Sequence, residues 1–196
     1  MTVISPLNTI DLAFLRAPEQ GGATGAAVPE ARGHRGGVIV ANGVDLGRID
    51  RAHFDSLGLD EALARKLRPY LELTGSEAMA LLSAGPLRLS HDQIRELDAT
   101  VHGPLAVELS TRFERASQLQ WHELPRSMAT LLMQEALCTN VPLEQSRPQL
   151  WQAAITGEQS AMLSVLRECE EVEAERAGRA AEYLEQALVG SGAAAH

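Results

Sequence analysis

Two carboxylates are set among glycines in the N-terminal third of this chain. Glu19 stands in "APEQGG", at the mouth of a glycine-rich loop, and Asp45 stands in "RGGVIVANGVDLGR", pinned between Val44 and Leu46. Carboxyl groups held on separate elements and facing one cleft can cleave a glycosidic bond: one stays protonated and donates to the leaving oxygen, and the other stays ionised. An inverting reaction needs them roughly 6.5 to 9.5 Å apart to admit a water. Their separation of 26 positions along the chain does not set that distance. Spacing alone favours a plainer reading, with Glu19 a solvated loop residue and Asp45 a turn former bonded to nearby backbone.

Other chemistries lack their residues. The six histidines show no metal-ligand spacing: "HEL" at His122 has no second histidine, and His34 stands in a loop, "RGHRGG". They read as surface histidines, and no metal is expected. There is no Gly-Lys phosphate loop and no serine in a G-x-S-x-G elbow. Cys138 and Cys169 match neither a redox nor a zinc pattern and read as buried thiols without a functional role.

These residues must be positioned by elements that the pattern predicts. Half of the 16 glycines fall between Gly21 and Gly47, and the rest of the chain is rich in Ala, Leu, Glu and Arg. That shift predicts a loop-and-hairpin lobe followed by a helical body, a mostly helical α+β protein. "IDLAFLRA" is a short helix candidate. "GGVIVA" and "VDLG" flank Asn42-Gly43, the signature of a two-residue type I′ hairpin. In that register Val40 faces Asp45 and Ile39 pairs with Leu46, which puts Ile39 and Asp45 on opposite faces. Leu59, Leu63, Leu67 and Leu71 recur at helical spacing, limited by Pro69. Thr74 with Glu77, and Ser90 with Gln93, make two capping boxes. Leu97, Val101, Leu105, Leu109 and Phe113 form an apolar stripe in which Gly103-Pro104 predicts a kink or break. Pro125 suits the first turn of "PRSMATLLMQEALC", Trp151 lies in "PQLWQAAITG", and one long helix is expected from about Glu158 to Leu188, ending at Gly190.

At 196 residues, with 45% apolar and 22% charged residues, the chain has the composition of one soluble globular domain. Its boundaries are drawn at 1–190, with a loop and hairpin lobe over 10–57, a helical body over 58–190 and a flexible tail at 191–196. A net charge of −9 and an aromatic share of 4% argue against nucleic acid as a partner. Eight Glu against three Arg from Gly157 onward place −5 of that charge in the last segment, a solvated helix face. "MTVISPLNTIDLAFLRAPEQ" has no basic n-region and is interrupted by Pro6, Asn8 and Asp11, and no apolar run reaches the length of a membrane span. The expectation is a protein made in the cytoplasm without a signal peptide.

The motifs around the two carboxylates resemble the pesticin-type muramidases, a branch of the phage-lysozyme fold. That family carries E-G-x-x-x-x-G-Y-V-P after its first helix and then G-V-T-I-G-x-G-x-D-L-G. Here "EQGGATGAAVP" spans 19–29 and "GVIVANGVDLG" spans 37–47. "DSLGLDEALARKLRPYLELTG", "PLRLSHDQIRELDATV", "LPRSMATLLMQEAL", "LWQAAITGEQSAMLSVLREC" and "AERAGRAAEYL" are similar to the segments that follow, so the likeness runs from about Ile10 to Leu188. The resemblance implies a lysozyme-like fold and cleavage of peptidoglycan between N-acetylmuramic acid and N-acetylglucosamine, without a cofactor. It puts Glu19 on the general acid and Asp45 on the second carboxylate. The threonine that helps hold the attacking water falls on Ile39, which has no hydroxyl. For Ile39 and Asp45 to meet in one cleft the hairpin needs a turn longer than two residues, and the register that the resemblance implies is preferred to the two-residue turn. The motif tyrosine falls on Ala26 or Ala27, and one motif glycine falls on Ala41.

Two functions follow from the resemblance. One is a glycan-strand hydrolase, reaching the wall by phage lysis, colicin-like import or a contractile secretion machine, with a secretion or immunity protein as a further partner. The other is a pseudo-lysozyme that keeps the scaffold to bind wall glycan or protein. Ile39, Ala26, Ala27, Ala41 and the acidic surface speak for the second, and the two retained carboxylates for the first. An inhibitor or immunity protein of unrelated fold would make the full-length likeness accidental.

Overall fold

The computed structural model describes residues 5–16, 20, 22–29, 36–139, 141–168 and 174–193. Three short strands, β1 (Ala26–Ala27), β2 (Ile39–Val40) and β3 (Val44–Asp45), form one antiparallel sheet in that order. Helices follow: α1 (Arg51–Ser56), α2 (Glu61–Leu67), α3 (Gly75–Ala84), α4 (His91–Ala116), α5 (Arg126–Cys138), α6 (Leu143–Ser146), α7 (Pro148–Ile155), α8 (Gln159–Arg167) and α9 (Ala174–Ala193). This is the mostly helical α+β class that the composition predicts. The chain divides into two compact units, one of Leu12–Pro104 and one of Met1–Asp11 with Leu105–His196.

The first unit holds the sheet. Its core joins Val38, Val40, Val44 and Leu46 to Phe54, Leu63, Leu67, Leu71, Ile94 and Leu97. Each fully buried leucine in such a cluster stabilises by about 1.5 to 3 kcal/mol. α2 stops at Leu67 and passes into a 3-10 turn, Arg68–Tyr70, because Pro69 cannot donate to a continuing helix but fits the start of a new turn. Ser90 and Gln93 close the expected box at the head of α4: Gln93 N–H donates to Ser90 Oγ (3.2 Å), and Ser90 N–H to Gln93 Oε1 (3.1 Å). Thr74 makes no such cap. Gly75, the first residue of α3, lies in the left-handed region at φ 54, and its N–H donates to Gly36 O (3.0 Å).

The second unit is built on α5, buried without interruption from Ser127 to Glu135. Phe113 meets Trp121 and Trp151 edge to face, with ring centroids 5.6 and 6.4 Å away, the geometry that aromatic quadrupoles favour. Arg112 sits over Trp151 and pairs with Glu108 and Glu144. Buried Glu135 is shared by Arg147 and Arg176, at 3.2 and 3.4 Å. The segment Pro6–Asp11 straps onto this unit. Trp121 Nε1 donates to Pro6 O (3.1 Å), Asp11 N–H to Thr130 Oγ1 (2.8 Å), Arg126 to Ile10 O (3.3 Å) and the Tyr183 hydroxyl to Asp11 Oδ2 (3.2 Å).

Several expected elements differ. "IDLAFLRA" forms a 3-10 turn, Leu12–Leu15, after another at Pro6–Thr9; Ile10 is extended between them, and the strap's bonds take the backbone groups a helix would use. α4 runs unbroken past Gly103-Pro104; Pro104 lacks the N–H that would reach Thr100 O, and the division into units falls directly after it. The single helix expected over 158–188 is two, α8 and α9. Met162 and Leu166 of one and Ala177, Ala180 and Leu184 of the other are buried as the two helices pack together, tied by Arg167 to Glu185. α9 continues through Gly190 to Ala193. Cys138 is exposed rather than buried, and Cys169 lies outside the described residues. No described helix is long and apolar enough to cross a membrane.

Candidate active site

The hairpin carries three loop residues, not two. Val40 pairs with Val44 and Ile39 with Asp45, leaving Ala41, Asn42 and Gly43 as the loop. The apolar pattern dictates this: Val38, Val40, Val44 and Leu46 all face the core, which is possible only if an odd number of residues connects β2 to β3. The type I′ conformation is absent as well, since positive φ falls on Ala41 (50°) and Gly43 (90°), not on Asn42.

Ile39 and Asp45 therefore stand on one face, directly opposite each other. Leu46 N–H bonds Val38 O (3.0 Å) one step along, so Ile39 and Asp45 form a non-hydrogen-bonded pair, the kind in which side chains approach most closely. β1 extends the row, because Ala27 pairs with Ile39. Ala27, Ile39 and Asp45 thus lie side by side, and Ala26, Val40 and Val44 form the row on the opposite face. Asp45 closes a row of two apolar positions, Ile39 the nearer and Ala27 the farther.

Asp45 also performs the structural task that its spacing allows. Its Oδ1 accepts N–H bonds from Gly47 (2.9 Å) and Gly37 (3.2 Å) and caps the 3-10 turn Leu46–Arg48. The glycines are required for this. A Cβ on Gly37 would lie 2.4 Å from Gly47 Cα, and one on Gly47 would lie 2.6 Å from Gly37 Cα. Two backbones touching so closely bring both amides to one carboxylate oxygen, and paired N–H donors suit an anionic acceptor. Glu19 lies outside the described residues. Gln20, next in the chain, is buried and its side chain donates to Ala41 O (3.1 Å) and Gly25 O (3.4 Å).

A buried polar cluster grips the hairpin loop from α4, and nothing in the motif spacing points to it. Asp98 accepts from Asn42 through both oxygens, Oδ1 from the backbone N–H (3.2 Å) and Oδ2 from the side-chain amide. His102 Nε2 lies 3.0 Å from Asn42 O and 3.8 Å from Asp98 Oδ1. His102 is wholly buried, a correction to its reading as a surface residue, and its Nδ1 has no partner among the described residues. Burial lowers the His102 pKa and raises that of Asp98, so His102 is neutral and donates from Nε2 to Asn42 O. The available signal was the i,i+4 spacing of Asp98 and His102, which puts both on one helix face. No group of His, Cys, Asp and Glu able to hold a metal ion occurs among the described residues. A surface hollow of about 330 Å³ is lined by Arg51, Arg65 and Arg68 with Glu61, Ala64 and Pro69; each arginine is already paired with a carboxylate, and neither Ile39 nor Asp45 lines it.

A family model described as "Pesticin: Bacterial toxin homologue of phage lysozyme, C-term" matches residues 9–159. The matched span contains Glu19, the sheet, the Asn42 cluster and the chain as far as α7. A search of curated proteins finds no match.

Proposed function

The chain belongs to the pesticin family of phage-lysozyme homologues, and from that premise we propose that it hydrolyses the glycan strand of peptidoglycan, using Glu19 and Asp45. Glu19 gives its proton to the leaving glycosidic oxygen as the C–O bond breaks, and ionised Asp45 offsets positive charge on the oxocarbenium-like sugar until water adds to the anomeric carbon and passes its proton to the Asp45 carboxylate. The supporting observation is the placement of Asp45: on a strand, opposite the water-holding position, with its Oδ1 aimed by two backbone amides. No step needs a cofactor.

Ile39 sets the expected weakness. An isoleucine opposite Asp45 offers no hydrogen bond to an attacking water, so turnover should be slow. The same row supports a second reading, a binder of wall glycan in which Asp45 serves only as the cap of its turn. Delivery to the wall by a dedicated export machine, and a cognate immunity protein, belong to the first reading.

Release of soluble fragments from purified peptidoglycan distinguishes the two. Wild type should release them, Glu19→Gln should lose about 100-fold or more, and Asp45→Asn, which retains an acceptor for the Gly37 and Gly47 amides, should lose activity while remaining folded. Ile39→Thr should gain about tenfold from better water positioning. Glycan retention without release by wild type or Ile39→Thr would sink the hydrolase and leave the binder.

A further inference from the structure

The apolar pattern requires an odd number of residues in the β2–β3 loop but does not set its conformation. Ala41 at φ 50 is held in the left-handed region, which is costly for a residue with a Cβ. An unconstrained loop would relax it. Three contacts hold it in place. Asp98 and His102 take the backbone N–H, the side-chain amide and the backbone oxygen of Asn42. Gly43 lies so close to Leu15 O that an added Cβ would come within 2.4 Å of it. The oxygen of Ala41, oriented by that strained φ, accepts from Gln20.

The loop is therefore the common support of two chain segments. Gln20, the residue after Glu19 in the sequence, hangs from one end, and β3 with Asp45 leaves from the other. Burying a carboxylate and an imidazole to hold an asparagine is a poor way to gain stability, since apolar residues would do that better. It is a good way to impose one conformation on a loop whose own preference differs.

We propose that Asp98 and His102 are positioning residues: by gripping Asn42 they hold the strained 41–43 loop in the one shape that supports both the Gln20 side chain and β3, and so set the place of Asp45 without touching the glycan. The activity readout rests on the hydrolase reading above, and the exchange readout does not.

The test is a double-mutant cycle between Asp98→Asn and Ala41→Gly in the full chain. The Asp98→Asn side chain keeps one acceptor oxygen but turns an NH2 toward the donors of Asn42, so the grip fails. A glycine at position 41 adopts φ 50 without strain, so the grip is no longer needed. In Asp98→Asn, amide hydrogen exchange at Asn42 and at Leu46, whose N–H bonds Val38 O across the hairpin, should speed up by about tenfold or more, and kcat on peptidoglycan should fall about 100-fold with KM within about twofold. In Ala41→Gly with Asp98→Asn, most of both losses should be recovered. Equal losses in the two backgrounds, or unchanged exchange at Asn42 and Leu46, would overturn the proposal. Should Asp98→Asn not fold, His102→Leu and His102→Gln replace it: leucine removes the donor to Asn42 O and should loosen the loop, while glutamine restores a donor and should rescue it. Equal exchange in those two would overturn the proposal too. If wild type cleaves no glycan, the hydrolase reading fails, and exchange alone decides the role of the pair.

Discussion

At the scale of single residues, a neutral buried histidine makes stability depend on acid. His102 has its pKa lowered from 6.5, chiefly by burial, so between that value and its folded pKa the unfolded chain binds more protons than the folded one. Stability is therefore lost as pH falls through this window. Asp98 acts in the opposite sense: burial raises its pKa above 3.8, so the folded state binds the extra proton, and its contribution diminishes as pH rises through its own window. Among the described residues Arg16 also exerts charge on Asp98 and lowers its pKa against the effect of burial. Urea denaturation at pH 7, 6 and 5 should show wild type weakening as the pH falls, and His102→Gln weakening less. An identical slope in the variant would mean that His102 is protonated when folded. The same pair shows what a sequence can hide. The resemblance singles out Asp45 and Ile39, whose pairing across the hairpin the structure then shows, whereas Asn42 reads as a turn residue until the fold brings Asp98 and His102, 56 and 60 positions away, against it.

At the scale of elements, the two capping boxes make opposite predictions. Ser90→Ala removes a formed bond to Gln93 N–H and should cost about 1 kcal/mol. Thr74→Ala removes none and should change stability by less than about 0.5 kcal/mol; thermal melts of the two variants side by side measure the contrast. Both boxes read alike in the sequence. They differ in the backbone between cap and box partner: Gly75 adopts positive φ and is bonded to Gly36, 39 positions away, a conformation that local pattern does not reveal. The hairpin teaches the same lesson in reverse. Asn42-Gly43 is a strong local signal for a two-residue turn, yet four apolar side chains that must face one core outweigh it. The split between α8 and α9 was invisible because no proline follows Pro148 and periodicity continues on either side of the junction. Local chemistry predicted that helices and strands would form there, and long-range burial chose where they would stop.

At the scale of the whole molecule, the strap ties residues near the start of the sequence to elements far along it. Thr130→Val leaves the Asp11 N–H without its acceptor in a part-buried site and should destabilise by roughly 1 to 2 kcal/mol. Urea denaturation measures it, and Tyr183→Phe combined with it should cost more than either alone. The unit Leu12–Pro104 is continuous in sequence, and its core, the Asn42 cluster included, is complete once Pro104 has been made. The strapped unit is not: Pro6–Asp11 is synthesised first, but its partners Trp121, Arg126, Thr130 and Tyr183 follow 115 to 172 positions later. On the ribosome, then, the hairpin unit can fold while translation proceeds, and the strapped unit must wait with its first segment unpaired until α9 emerges. A chain stalled before Tyr183 would present the sheet and its aspartate already formed beside a helical unit that cannot close.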